Sequence, residues 1–157
     1  MYIIGVDPGL RGGVATLGHG GEVLHLEDMP IRKIDRTHEI VVKELYNMLN
    51  RYDPSELRVF VEKVHSMPFT KPQAVWTFAL AYGAILHILE MLEIPHTKVL
   101  PQTWQKVMMR DMVVSKVNSI HRARELFPAS VIGKKDGLAE ALLIAEYGRR
   151  LGHVQIL

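Results

Sequence analysis

Cysteine is absent from the 157 residues, so the chain cannot form disulfides, thiolate metal sites or a cysteine nucleophile. The absence is compatible with a reducing compartment. No basic segment followed by an apolar run precedes the first predicted strand, so we expect no signal peptide. The longest apolar stretch, residues 74–92, is interrupted by Thr77, His87 and Glu90, which favours a buried helix over a membrane span.

A strong excess of either charge is also lacking, because the formal net charge is only +2. The hydrophobic fraction of 48% and the length suit one globular domain over residues 1–157. The charge is unevenly distributed: residues 101–157 hold nine basic and five acidic side chains. This basic third is a candidate nucleic-acid surface, although charge alone favours a solvated helical surface.

The hydrophobic pattern predicts a mixed five-stranded sheet flanked by helices, which is an α/β fold. Three strands over residues 2–7, 12–17 and 22–29 are joined by short turns and form an antiparallel meander. The later elements are a helix from Asp35 or Thr37 to about 51, a strand over 58–62, a helix over 72–92, a strand over 96–100, a helical turn over 101–108 and helices over 115–127 and 135–151. Such an order requires crossover connections and parallel strands.

Four acidic residues are predicted to converge at one edge of the sheet. Asp7 ends the first strand and Glu62 ends the fourth, while Asp136 and Glu140 are four residues apart on the last helix. Each has an ordinary explanation as a turn former, a surface residue or a favourable charge at a helix start. Together they favour a divalent metal site, because clustered carboxylates repel unless a cation lies between them. Gly137 lets another segment approach this helix closely.

Four segments resemble one protein family in the same order along the chain. They are IGVDPG at residues 4–9, VFVEKV at 59–64, PQTWQK at 101–106 and KDGLAEALLIA at 135–145. The chain resembles RuvC-type Holliday junction resolvases of the RNase H and retroviral-integrase superfamily, and its compact length is similar to that of phage-encoded members. One departure is that many bacterial members space the last two acids by three residues and end on Asp, whereas here the spacing is four and ends on Glu140.

The resemblance implies an RNase H-like fold and a homodimeric, Mg²⁺- or Mn²⁺-dependent endonuclease that cuts four-way DNA junctions by paired nicks. It places Asp7, Glu62, Asp136 and Glu140 at the family's metal-ligand positions. Two-metal hydrolysis activates a water and stabilises the leaving oxygen. We expect Asp7 to bridge two ions, Glu62 to bind one, and Asp136 and Glu140 the other. The expected location is the bacterial cytoplasm, including that of a phage-infected cell.

Basic and aromatic residues provide candidate DNA contacts. Lys106 and Lys116 are candidates to hold the scissile phosphate, with Lys116 counted among the catalytic residues. Phosphate contacts are expected from Arg110, Lys116, Arg122, Lys134 and Lys135. Phe69 is a candidate wedge between bases. Solvated lysines and a loop aromatic folded onto the core are competing interpretations of similar weight.

The predicted helix around Trp76 to Leu89 is apolar on nearly all sides, more than one monomer can bury. This surplus indicates a twofold dimer. We expect no membrane partner, because polar residues interrupt the apolar stretch. Three other functions remain open: an actin-like ATP-binding module, for which no second glycine-rich phosphate segment is visible, a nuclease for RNA–DNA hybrids or other branched DNA, and a non-catalytic DNA-binding relative.

Overall fold

The computed structural model describes residues 1–35, 37–63, 72–130, 132–133 and 135–154. Its strands are β1 (Tyr2–Asp7), β2 (Gly13–Leu17), β3 (Val23–Asp28), β4 (Ile31–Ile34), β5 (Thr37–Ile40), β6 (Leu57–Glu62) and β7 (His96–Val99). The helices are α1 (Val42–Leu49), α2 (Pro72–Met91), α3 (Pro101–Met108), α4 (Lys116–Leu126) and α5 (Asp136–Val154), and a short 3-10 helix spans Pro54–Glu56.

The main sheet has five strands in the order β3-β2-β1-β6-β7. The pairs β1–β2 and β2–β3 are antiparallel, whereas β1–β6 and β6–β7 are parallel. The prediction of a mixed five-stranded sheet flanked by helices is therefore confirmed. The parallel half arises because β1, β6 and β7 are connected through helices rather than tight turns.

Alternation along the central strands separates two cores. Ile3 belongs to the cluster under α5, and Ile4 to the cluster under α1 and α2. Gly5 faces α5, where a Cβ would lie only 2.2 Å from the backbone oxygen of Ala141. Since side chains alternate between faces, Asp7 continues the face of Ile3 and Gly5. The helix that carries two of the acids thus packs against the strand that ends in the first.

The predicted helix over residues 35–51 is wrong in its first part. Strands β4 and β5 form a separate hairpin in which Ile31 pairs with Ile40 and Lys33 with His38, and α1 begins at Val42. Asp35 has a φ of 52°, a left-handed conformation that Asp tolerates in a turn. The β-branched residues on both sides of it favour extended backbone over helix. The expected apolar face of α1 is confirmed by buried Leu45, Met48 and Leu49.

Helix α2 is buried on one side only. Ala81, Ile85, Ile88 and Leu89 pack into the core, while its outer side remains open. Its length and mean hydropathy of 1.5 would also suffice to cross a membrane, alone among the helices of the described residues. The expectation of a buried helix therefore holds for one face and fails for the other.

Candidate active site

Four carboxyl groups from three elements line one cavity of about 700 Å³. Asp7 and Glu62 are the last residues of adjacent parallel strands, and Val6 pairs with Val61 just before them. Asp136 opens α5, and Glu140 follows one turn later on the same side. The four predicted metal ligands are thus brought together by the strand ends and the start of one helix.

The close approach of α5 to the first turn depends on Gly137. A Cβ at this position would lie 2.0 Å from the backbone oxygen of Arg11. The expectation that Gly137 admits a neighbouring segment is confirmed, and the segment is the turn that follows Asp7. In that turn the amide of Gly9 donates a 3.1 Å hydrogen bond to Oδ1 of Asp7 and orients the carboxyl group.

Three of the four carboxyl groups have strongly raised pKa values. Burial is the main cause in each case, and neighbouring carboxylates add to it. The pKa of Asp7 rises to about 6 despite the hydrogen bond from Gly9. The pKa of Glu62 rises to about 7 and so does that of Glu140, which faces Asp7, Glu62 and Asp136. The cavity is lined by these four carboxyl groups but by only two described Lys or Arg side chains, Arg11 and Lys116, so its acids outnumber its basic residues.

Asp136 is the exception, because the ammonium group of Lys116 pairs with it. This hydrogen bond is the largest cause of its lowered pKa, and the more distant charge of Arg11 lowers it further. Lys116 is the first residue of α4. Ser115 caps this helix, because its hydroxyl accepts a hydrogen bond from the amide of Asn118. The predicted placement of Lys116 beside the acids agrees with this geometry.

The donors suit a hard divalent cation in type, since all four side chains offer carboxylate oxygens. In the conformation described, however, no three His, Asp or Glu side chains of the described residues lie close enough together to hold one ion. Two of the acids are already engaged: Asp136 by Lys116, and Glu62 by the indole N–H of Trp104, which donates a 2.7 Å hydrogen bond to its Oε2.

Most other predicted DNA contacts lie apart from the acids. Lys106 and Arg110 line a separate cavity of about 420 Å³. Arg122 pairs with Asp111 and Glu125, and Lys135 pairs with Asp28. Phe69 and Lys134 lie outside the described residues. The structure thus brings Lys116 to the acids, but not Lys106, Arg110, Arg122 or Lys135.

Two site residues were missed in the sequence. Arg11 lines the acid cavity and forms no ion pair or hydrogen bond with another described residue. A basic residue two positions after the Asp-Pro-Gly turn was the available signal. Trp104 is fully buried and orients Glu62, and a Trp in the segment after β7 could have suggested a buried N–H donor.

The sheet, the crossing helix and the acids at the strand ends define an RNase H-like fold of the RuvC type. Two solved structures have it: Thermus thermophilus RuvC in complex with Holliday junction substrate, and Thermus thermophilus RuvC alone. Each aligns with a TM-score of 0.69 and 20% identity, covering 97% of both chains. No protein-family model and no curated protein matches the chain. The predicted resemblance is thereby confirmed at the level of the fold.

Proposed function

We propose that the chain, as one nuclease domain, is an endonuclease that cuts four-way DNA junctions by paired nicks. The observation that carries this proposal is the cavity in which Asp7, Glu62, Asp136 and Glu140 meet with too little positive charge of their own. Such a cavity attracts divalent cations, and cations bound there attract a phosphodiester. The four-way junction as substrate is suggested by the match to RuvC solved with a Holliday junction substrate.

The four carboxylates that line the cavity would hold Mg²⁺ or Mn²⁺, and we propose that two ions bind there. When bound, these ions supply Lewis-acid stabilisation of the attacking and leaving oxygens. The indole of Trp104 holds Glu62 in place. Lys116 neutralises Asp136 in the absence of an ion and can turn to a phosphate oxygen in its presence.

Arg11 is the second cation of the cavity and has a different role in this proposal. Its guanidinium has no partner among the described residues, and it stands beside Asp136 without pairing to it. A planar guanidinium binds two phosphate oxygens at once and cannot lose its charge. We assign Arg11 to hold the scissile phosphate in line with the acids, a role for which the sequence suggested Lys106 and Lys116.

The proposed homodimer uses the outer side of α2. Trp76 is 64% exposed and Leu80 is 55% exposed on this side, and a monomer rarely leaves such large apolar side chains exposed together. Nothing lies within 4 Å of a Cβ built at Gly83. A Gly83→Leu chain should therefore fold normally, but its larger side chain should hinder packing between the α2 helices of two chains. Light scattering would then detect a monomer in place of the dimer. A wild-type mass equal to one chain would contradict the dimer.

The deciding experiment compares a four-way junction, a linear duplex and an RNA–DNA hybrid, each incubated with Mg²⁺. We expect efficient, paired cutting of the junction alone. Equal cutting of the duplex would overturn junction selectivity, and preferred cutting of the hybrid would support the alternative substrate.

A matched pair of variants tests the site itself. Asp7→Asn should abolish cutting while junction binding persists, because phosphate contacts supply most of the affinity. Asp53→Asn is the control, since Asp53 caps the 3-10 helix before β6 and Asn can fill the same capping role. Cutting by Asp7→Asn at the wild-type rate would remove Asp7 from the active site.

A further inference from the structure

The hairpin of β4 and β5 stands outside both cores, although it is firmly attached to them. Its strands pair only with each other, and most of their side chains are exposed. Ile40 is buried in the core cluster under α2, and the amide of Val41 donates a 2.8 Å hydrogen bond to the oxygen of Pro30, which closes the base. An exposed but anchored hairpin is suited to contact another molecule.

The hairpin extends to the acid cavity. Thr37 and His38 line this cavity and also a neighbouring groove of about 380 Å³ between the hairpin and α2. Leu10, Gln73 and Thr77 are likewise shared by both. The hairpin is therefore continuous with the wall of the cavity, and a strand held at the acids would pass along it. The opposite wall of the groove, with Trp76 and Leu80, belongs to the proposed dimer surface of α2.

The pairing register of β4 and β5 determines which charged side chains share a face of the hairpin. Lys33 is paired directly with His38, so their side chains share one face of the hairpin and stand about 5 Å apart at Cβ. Arg32 and Glu39 form a 3.9 Å ion pair on the other face. The side chain of Lys33 forms no ion pair or hydrogen bond with another residue that the structure describes. Its ammonium is thus available on the face of the hairpin that carries His38, which lines the cavity.

We propose that the β4–β5 hairpin is a DNA-contacting arm, in which Lys33, with Thr37 and His38, binds the phosphate backbone next to the scissile phosphate. The occupant is a DNA strand because the hairpin continues from the wall of the acid cavity and carries a cation, Lys33, on the same face as His38. This inference rests on the proposed function for its substrate, but it does not require the DNA to be a four-way junction. Phosphate contacts of this kind add affinity without reading sequence.

The test measures DNA binding as a function of salt, in an Asp7→Asn background with Mg²⁺ present, using both a four-way junction and a linear duplex. Lys33→Ala should weaken binding about fivefold and reduce the slope of log affinity against log salt by about one. Lys33→Arg should restore both values. Arg58→Ala is the remote-charge control, because Arg58 lies at the other end of β6, about 13 Å from Glu62.

The outcomes separate the two proposals. An unchanged salt slope for Lys33→Ala, or an equal change for Arg58→Ala, would overturn the hairpin contact. Equal wild-type affinity for junction and duplex would count against the junction as substrate, and the hairpin contact would then be judged from the slopes alone. Absence of DNA binding by the wild type would overturn both. Equal melting temperatures of Lys33→Ala and Lys33→Arg would confirm that the hairpin remains folded.

Discussion

Helix α5 carries two carboxyl groups whose surroundings are opposite in kind. Glu146 is only 4% exposed, yet it accepts hydrogen bonds of 2.6 and 2.9 Å from Arg149 and of 2.8 Å from Arg150. Burial by itself would raise the pKa of Glu146, but the hydrogen bonds and charges of the two guanidinium groups hold it below its usual value. This carboxylate is neutralised from within the chain.

Glu140, six residues earlier, has much weaker compensation: no described cation is hydrogen-bonded to it, and only the charge of Lys116 lowers its pKa. Among the described residues its hydrogen-bond partner is the hydroxyl of Ser119 at 3.5 Å, and it faces the carboxyl groups of Asp7, Glu62 and Asp136. Its pKa rises to about 7, mainly through burial. The contrast shows how a buried acid reveals its role: one with its own cations stabilises the fold, while one without them is suited to bind a cation from solution.

The largest expected difference between these two positions is in cleavage. Glu140→Gln removes a proposed metal ligand and should slow junction cutting by about 10³-fold, or about 4 kcal/mol. Glu146→Gln lies one and a half turns away and should leave the rate nearly unchanged below its melting temperature. Single-turnover rates with saturating enzyme measure this directly. A comparable loss in both variants would mean that Glu140 acts only through folding.

The second difference concerns pH and divalent ions. Because Asp7, Glu62 and Glu140 have raised pKa values, the folded state binds more protons than the unfolded state between about pH 4 and 7. Their contribution to stability is therefore present at low pH and is lost as pH rises through 6 to 7. With EDTA, the wild type should lose a few kcal/mol relative to Glu140→Gln across this range.

Mg²⁺ should restore this loss at pH 8, because an ion that binds only the folded state stabilises it by mass action. Thermal unfolding at pH 5 and pH 8, with EDTA or Mg²⁺, measures the effect in both variants. The Glu140→Gln protein should respond much less to Mg²⁺. An equal rise of melting temperature in both proteins would place the ion elsewhere.

The four acids of the candidate active site show how much of it could be predicted from the sequence. The strand-end acids and the i, i+4 pair predicted Asp7, Glu62, Asp136 and Glu140, since periodicity determines where a side chain points. The ion pair between Lys116 and Asp136 and the hydrogen bond from Trp104 to Glu62 join residues 20 and 42 positions apart, so no local pattern contains them.

The hairpin was missed for a different reason. Residues 35–51 include a real amphipathic helix, and its pattern was extended backwards over Thr37 and Ile40, whose own preference is for extended backbone. The left-handed turn at Asp35 marked the boundary, but an Asp before a helix also suggests an N-cap. Local signals competed here, and the tertiary contact of Ile40 with the core decided between them.

A third prediction concerns the stability of the fold at Glu146. Glu146→Gln should lower the free energy of unfolding by about 1–3 kcal/mol, because two guanidinium groups lose their charged partner. The contribution of Glu146 is fully present at neutral pH and is lost as pH falls below about 4.5, through its lowered pKa. Urea unfolding at pH 7 and pH 3 would measure this. Glu27→Gln, which breaks the more exposed pair with Arg51, should cost less than about 1 kcal/mol.

The smallest expected effect tests whether Glu140 is truly without support from the chain. Ser119 is only 1% exposed, and its hydroxyl is the only described side-chain group hydrogen-bonded to Glu140, at a distance where a hydrogen bond is weak. Ser119→Ala should change the free energy of unfolding by less than about 0.5 kcal/mol and leave the cleavage rate almost intact. Urea unfolding and single-turnover cleavage measure both values. A loss of stability as large as that of Glu146→Gln, or a loss of rate as large as that of Glu140→Gln, would show that Ser119 holds the carboxyl group in place. The surroundings of Glu140 and Glu146 on α5 would then differ less than their charges indicate.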